Sequence, residues 1–337
     1  MKTNWTKKAT ILLAAICVAL AALSSFTPSG AQAWLLQVEG VPVSRAVYSY
    51  FLSEALRDAR EDGQLKADGR PKDMAALRRD VKARCVEYIA VNSELRKMEI
   101  PVDQMLKSEV AEQTASLWRL FSGYYRSIGV DKQTLNAALT GRAARDQLFR
   151  ALYDEGGKTP TPEESIEAYF YGNYLAYEGV RVLRTVMSED GELRDMDIPE
   201  AAALRQVLAD FTEAANDAGD FYSAAKDEEF ALALGYLPPS VTMVRKGTVD
   251  VSDADFEQLR GLRPDRITLL NLPGFFLVAR GVNMRESPEE FYMGRRADCL
   301  WKLKGAAYEA ALKEICKGFR ADENAAEVER VYREWVW

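Results

Sequence analysis

Residues 154–187 have the sequence DEGGKTPTPEESIEAYFYGNYLAYEGVRVLRTVM, and the structural pattern of the chain changes within them. Residues 154–158 form a polar, glycine-containing break that predicts a domain boundary. Residues 161–164 (Thr-Pro-Glu-Glu) have the spacing of a capping box, which explains both glutamates by helix capping rather than by acid–base chemistry. Residues 180–187 are apolar and β-branched, which predicts a strand. The chain therefore passes here from one kind of domain to another.

The segments before this break are predicted to be helical. A short strand or hairpin over 35–43 leads into a helix capped by Ser44. A long helix should follow to about Met98, because its apolar residues recur at steps of three and four. Two further regions, 101–127 and 131–153, have the same helical pattern.

The segments after the break predict an α+β domain followed by C-terminal helices. Strands alternate with helices in the order β, α, β, α, β, β, which favours a mainly antiparallel sheet. Ser287 begins a second capping-box pattern and a long helix to about Phe319, with a further helical piece from Asp322. With no partner adjacent in sequence, these helices should pack on the N-terminal helices. The predicted fold is a discontinuous helical domain with an inserted α+β domain.

Composition excludes several classes of function. The chain has 337 residues with 48% apolar and 28% charged residues, which suits a globular protein rather than a disordered one. Its net charge of −7 argues against nucleic-acid binding. It contains no histidine, which excludes Ser–His and Cys–His catalytic pairs and histidine-ligated metals.

Residues 1–33 are predicted to be a cleaved signal peptide. Three lysines precede an apolar run over 11–23, and residues 31–33 (Ala-Gln-Ala) form a cleavage site before Trp34. An uncleaved membrane anchor is the alternative, and the run is short for that role. Ile16 before Cys17 disfavours lipidation, so the periplasm is favoured over the extracellular face of the cytoplasmic membrane.

The mature chain would keep three cysteines, Cys85, Cys299 and Cys316. Cys299 and Cys316 lie on one predicted helix at a separation of roughly 26 Å, too far for a disulfide. A bridge from Cys85 to either of them remains open, and three buried thiols are favoured.

The mature chain resembles the SurA/PrsA group of exported foldases, a family of parvulin-type peptidyl-prolyl isomerases and chaperones. Five stretches carry the resemblance, in the family's order: 38–45 (VEGVPVSR), 156–170 (GGKTPTPEESIEAYF), 219–225 (GDFYSAA), 234–236 (LGY) and 274–278 (GFFLV). The resemblance implies a helical SurA-like N-terminal domain over 34–157, a parvulin-like domain over 158–284, and C-terminal helices over 285–337 that pack on the first domain.

The polar residues of the family's isomerase site are replaced in this chain. On the resemblance, its two histidine positions fall on Arg184 and Phe276, its aspartate position falls on Ala233, and Tyr236 lies beside them. We therefore expect no catalytic residue at these groove positions and weak or absent isomerase activity. Isomerisation by an apolar groove alone is the enzymatic alternative.

Chaperone function requires an apolar surface that tolerates many sequences. Trp118, Phe121, Tyr124 and Tyr125 are the candidate client-binding residues, and burial in the helical core is the alternative for them. The acidic run over 190–197 is a weaker candidate for Ca²⁺, against a solvated loop. The leading hypothesis is an exported folding factor without metal or cofactor. Its partners would be unfolded or nascent exported polypeptides, or, as an alternative, one dedicated envelope protein. Client identity and oligomeric state stay open.

Overall fold

The computed structural model describes residues 34–235, 237–248 and 251–336. The predicted signal peptide and Tyr236 lie outside these ranges. The helices in chain order are α1 (Arg45–Glu61), α2 (Met74–Lys97), α3 (Gln104–Ser127), α4 (Lys132–Tyr153), α5 (Glu163–Asn173), α6 (Ile198–Ala218), α7 (Phe221–Ala224), α8 (Glu228–Ala233), α9 (Asp253–Arg260), α10 (Pro288–Phe291), α11 (Arg296–Lys317) and α12 (Ala325–Val336). The strands are β1 (Leu36–Val38), β2 (Val41–Val43), β3 (Tyr174–Leu183), β4 (Thr185–Met187), β5 (Leu193–Asp195), β6 (Ser240–Arg245), β7 (Thr268–Leu272), β8 (Phe275–Val282) and β9 (Ala321–Glu323). These helices and antiparallel strands confirm the predicted α+β class.

The chain divides into two compact units. Among the described residues, the first contains residues 34–151 and 308–336, and the second lies within Leu152–Ala307. Residues 152–157 and 285–307 thus belong to the second unit, although the sequence placed them with the helical domain. Their contacts explain the difference, because Arg296 binds Asp154 within this unit and Tyr292 packs against Phe170.

The first unit has a helical core that the end of the chain completes. β1 and β2 form a hairpin whose two turn residues, Glu39 and Gly40, both have positive φ, as a type I′ turn requires. β9, which the sequence did not predict, pairs with the free edge of β1. The core brings α1, α2 and α12 together, and its buried residues include Tyr48, Leu52, Val81, Cys85, Val328, Val331 and Tyr332. The last helix of the chain thus packs on α1 and α2 within this unit.

The second unit is built on a four-stranded antiparallel sheet in the order β6-β3-β8-β7. One face packs against α6, α7 and α8, through a core that includes Val180, Leu208, Phe211, Phe221, Phe276 and Val278. The other face packs against α9, through Leu175, Phe256, Leu259, Leu277 and Ala279. Gly179 lets β3 and β8 approach closely, because a Cβ there would lie 2.4 Å from the carbonyl oxygen of Val278.

A separate two-stranded hairpin, β4 and β5, interrupts the strand predicted over 180–187. The break falls at Arg184, whose N–H donates to the carbonyl of Gly274 and whose carbonyl accepts from Met196. The acidic run over 190–197 lies in and after this hairpin. Among the described residues, no group of acidic, cysteine or histidine side chains is arranged to hold a metal ion.

Both predicted capping boxes are wrong. α5 begins after Pro162 without a side-chain cap, and Glu163 instead accepts hydrogen bonds from Arg296 and Tyr292. The pattern at Ser287 opens only the four-residue α10, and the long helix restarts at Arg296. A true capping box forms at Asp197 and Glu200, at the start of α6.

The Glu163–Arg296 contact predicts a pH-dependent stability of the second unit. Hydrogen bonds from Arg296 hold the pKa of Glu163 below its usual range. The resulting stabilisation is present above the unfolded pKa of about 4.3 and is lost as pH falls through the lower folded pKa. In Glu163→Gln, the free energy of unfolding measured by urea denaturation should therefore depend less on pH in this acidic range than in the wild type. An unchanged dependence would contradict this role.

The three described cysteines are all free thiols. Cys85 and Cys299 are buried and Cys316 is half-buried. Burial raises the pKa of Cys299 and of Cys316 to about 11, so both stay protonated at neutral pH. Within residues 34–235, 237–248 and 251–336, no helix combines the length and apolarity needed to cross a bilayer.

Candidate functional site

α3 is held to the first unit along a narrow line of contact. Only two residues of this 24-residue helix, Val110 and Thr114, are buried. The Thr114 hydroxyl donates to the carbonyl of Val110 and accepts from the Asn136 side chain on α4 at 3.1 Å. The other side chains of the helix are therefore exposed to solvent or only partly buried.

The C-terminal half of α3 exposes large apolar side chains. Leu120 is 64%, Phe121 50% and Tyr124 52% exposed. Trp118 and Tyr125 are half-buried beside them, with their rings stacked at a centroid distance of 6.2 Å. We call these five residues the α3 aromatic face. Two of the four client-binding candidates, Phe121 and Tyr124, are thus exposed, and the other two are half-buried beside them. Leu120, which the sequence did not indicate as a candidate, is exposed with them.

Only part of the α3 aromatic face packs against the core of the first unit. Trp118 and Tyr125 pack against a cluster formed by Tyr50, Val130 and Leu135, among others, so the core interpretation applies to these two residues. By helical spacing, Phe121 lies on the same side of α3 as Trp118 and Tyr125, yet half of its side chain is exposed. The helix is kinked at this residue, where φ is −127° and ψ is 19°. Phe121 and Tyr124 therefore remain uncovered in the described part of the chain.

The face is bordered by positive charge. Arg126 lies over the Trp118 ring at 5.4 Å, and Arg119 is exposed one residue before Leu120. Burial raises the pKa of Tyr125, with a smaller contribution from Glu54. The hydroxyl of Tyr125 therefore stays neutral at physiological pH. Chemically, this surface can stack and bury apolar or aromatic groups, and it has no group suited to covalent catalysis.

The positions that resemble the family's isomerase site lie in the second unit. Phe276 is only 2% exposed, within the core between the sheet and α6 to α8. Ala233, at the end of α8, is half-buried against the same core. Arg184 donates to the carbonyl of Leu272 at 3.0 Å, and its guanidinium lies 5.5 Å from the Phe276 ring centre. Tyr236 is outside the described residues. The three described positions thus contribute to a packed interior.

A cavity of about 510 Å³ lies on the opposite face of this sheet, beside α9. Its apolar wall is formed by Tyr177, Leu272, Phe275 and Leu277. Arg181 lies over the Phe275 ring at 4.1 Å. This cavity was not predictable from the sequence, since strand alternation shows that residues share a face but not whether a helix covers them. Its volume is in the range of small ligand sites.

Comparison with known proteins gives a structural likeness only. No family model matches the chain, and no curated protein matches it. The structure is similar to foldase protein PrsA from Lactococcus lactis, with 8% identity, a TM-score of 0.37, and coverage of 90% of this chain and 100% of that one. It is also similar to PrsA from Streptococcus pneumoniae, with 10% identity, a TM-score of 0.30, and coverage of 80% and 98%. For PrsA from Bacillus subtilis the identity is 11%, the TM-score 0.29, and the coverage 70% and 82%. At these values, function has to be inferred from the residues of this chain.

Proposed function

We propose that this protein is an exported folding factor that binds unfolded or newly translocated polypeptides through the α3 aromatic face. The observation that carries the proposal is the exposure of Leu120, Phe121 and Tyr124 side by side on a kinked helix. Contiguous apolar surface of this kind marks interaction sites in folded proteins. Non-native polypeptides expose the apolar segments that such a surface can bury.

The energetics of the face suit weak binding of many sequences. Burying one large apolar side chain stabilises a complex by about 1.5–3 kcal/mol, before the costs of association are subtracted. Stacking of aromatic side chains adds to this without requiring one partner sequence. A convex helix face also lacks the deep pocket that would select a single ligand.

The second unit would be a structural or substrate-binding module rather than an isomerase. The chain contains no histidine, and Phe276 is part of the core. A catalyst of prolyl isomerisation must bind the twisted amide more tightly than the planar one. Of the described groove positions, Ala233 and Phe276 have no polar side-chain group, and the guanidinium of Arg184 already donates to the carbonyl of Leu272.

Refolding of a proline-limited test protein distinguishes these functions. With the mature chain present, we expect a higher soluble yield and an unchanged rate of the proline-limited phase. A rate that rises in proportion to the concentration of the protein would contradict the non-enzymatic proposal and favour catalysis. If neither rate nor yield changes, general chaperoning is contradicted and a dedicated envelope partner becomes the better hypothesis.

Export is part of the proposal and rests on residues 1–33. Their basic start, apolar run and Ala-Gln-Ala site support cleavage before Trp34, and the poor lipidation pattern supports the periplasm. Mass spectrometry of the protein from an envelope fraction should find Trp34 as the first residue. A product that keeps Met1 would contradict cleavage.

A further inference from the structure

We infer that the α3 aromatic face selects apolar segments flanked by aspartate or glutamate. This inference rests on the proposed function and adds the chemical class of the bound segment. It follows from the charges on α3 itself and from those that approach the face from the neighbouring helices.

The stretch that carries the face is basic within an acidic protein. Residues 113–130 contain Arg119 and Arg126 and no aspartate or glutamate, whereas the whole chain has a net charge of −7. Both arginines are exposed, and no carboxylate in the described part of the chain forms an ion pair with either. Their guanidinium groups are therefore available to a bound segment.

The carboxylate that acts on Tyr125 is already paired with arginine. Glu54 on α1 contributes to the electrostatic surroundings of Tyr125. Both of its carboxylate oxygens accept hydrogen bonds from Arg57, at 2.7 and 2.9 Å, and Arg142 lies 3.8 Å away. At the start of α4, Asp131 accepts from the backbone N–H of Thr134 and is followed by Lys132. The surroundings thus leave the positive charge of the two α3 arginines unopposed.

A second exposed apolar surface has the opposite charge. Met187 and Leu193 are cross-strand partners in the β4–β5 hairpin and are 68% and 73% exposed. Four carboxylates occur on or beside this hairpin: Glu189, Asp190, Glu192 and Asp195. Acidic flanks would be repelled there and attracted at α3. Flanking charge therefore distinguishes the two surfaces.

Two labelled peptides test the inference on the mature full-length chain. Both are unstructured and share one aromatic core, and they differ only in having aspartate or lysine on each side. Fluorescence anisotropy should show about fivefold tighter binding of the aspartate peptide at low salt, the effect expected of two exposed ion pairs. The preference should diminish as salt screens these pairs. In Arg119→Gln/Arg126→Gln the two peptides should bind equally.

Two further variants distinguish failure of the inference from failure of the proposed function. One is a matched double arginine variant in the second unit, and the other is a triple serine variant of α3. Arg205→Gln/Arg266→Gln removes two exposed arginines of the second unit and should keep the preference. If the wild type bound both peptides with equal affinity, and Leu120→Ser/Phe121→Ser/Tyr124→Ser bound neither, the inference would be overturned. The proposed function would stay intact. Tighter binding of the lysine peptide, or a preference that survives in Arg119→Gln/Arg126→Gln, would also overturn the inference. Binding of neither peptide would contradict the proposed function itself.

Discussion

Replacing Leu120, Phe121 and Tyr124 together by serine is expected to weaken binding of a non-native polypeptide at least about tenfold, since the loss of a single buried apolar side chain already costs that much. The three side chains are the most exposed members of the α3 aromatic face, so their removal takes away contact area without opening the core. The measurement is suppression of aggregation of a denatured test enzyme, combined with fluorescence anisotropy of a labelled client. Thermal unfolding should stay close to that of the wild type.

The control for this variant is Leu232→Ser on α8. Leu232 is 65% exposed, which matches the 64% of Leu120, but it lies in the second unit. We expect it to bind clients as the wild type does. A triple variant that binds normally, or a Leu232 variant that binds as poorly as the triple variant, would contradict the assignment of binding to α3.

Phe276→Ala is expected to lower the free energy of unfolding of the second unit by about 3–5 kcal/mol, as for other buried phenylalanines. The ring lies among Phe211, Phe221 and Val278, where neighbouring side chains cannot collapse fully into the space left behind. Urea denaturation followed by circular dichroism measures this change.

The control for Phe276 is Leu183→Ala on the paired strand. In the register of β3 and β8, Val182 is opposite Phe276 and Leu183 is opposite Phe275. Leu183 is about half exposed, so its truncation should cost less than about 1.5 kcal/mol. If Phe276→Ala were as mild as Leu183→Ala, Phe276 would not be a core residue, and an open groove at this position would have to be considered again.

Local patterns predicted most helices because their causes are local. Ser44 accepts a hydrogen bond from the backbone N–H of Val47 and Ser252 from that of Asp255, as their positions before helical segments indicate. The apolar spacing over 74–97 likewise needs no information from elsewhere in the chain. The same local reasoning failed at residues 161–164, because Glu163 binds Arg296, which is 133 residues away. It also missed β9, which is a strand only because β1 offers a free edge.

The sequence predicted which aromatic residues could form the candidate site, but not how exposed their side chains are. The aromatic residues of α3 recur at helical spacing, and that pattern fits both a core stripe and a binding face. The outcome depends on how much of the helix its neighbours cover, and they cover Trp118 and Tyr125 in part and Tyr124 much less. Similarly, the resemblance aligned Phe276 with a histidine position of the family's isomerase site, but it could not show that Phe276 is buried.

Photo-crosslinking tests whether non-native polypeptides bind at the α3 aromatic face. A benzophenone amino acid is placed at Tyr124 on α3 or at Tyr222 on α7, two tyrosines that are 52% and 57% exposed. Each protein is irradiated with an unfolded, labelled polypeptide, with and without an excess of unlabelled competitor. We expect strong adducts at position 124 that the competitor suppresses, and weak ones at 222. Equal adducts at both positions, or none at 124 while the protein still prevents aggregation, would contradict binding at the α3 aromatic face.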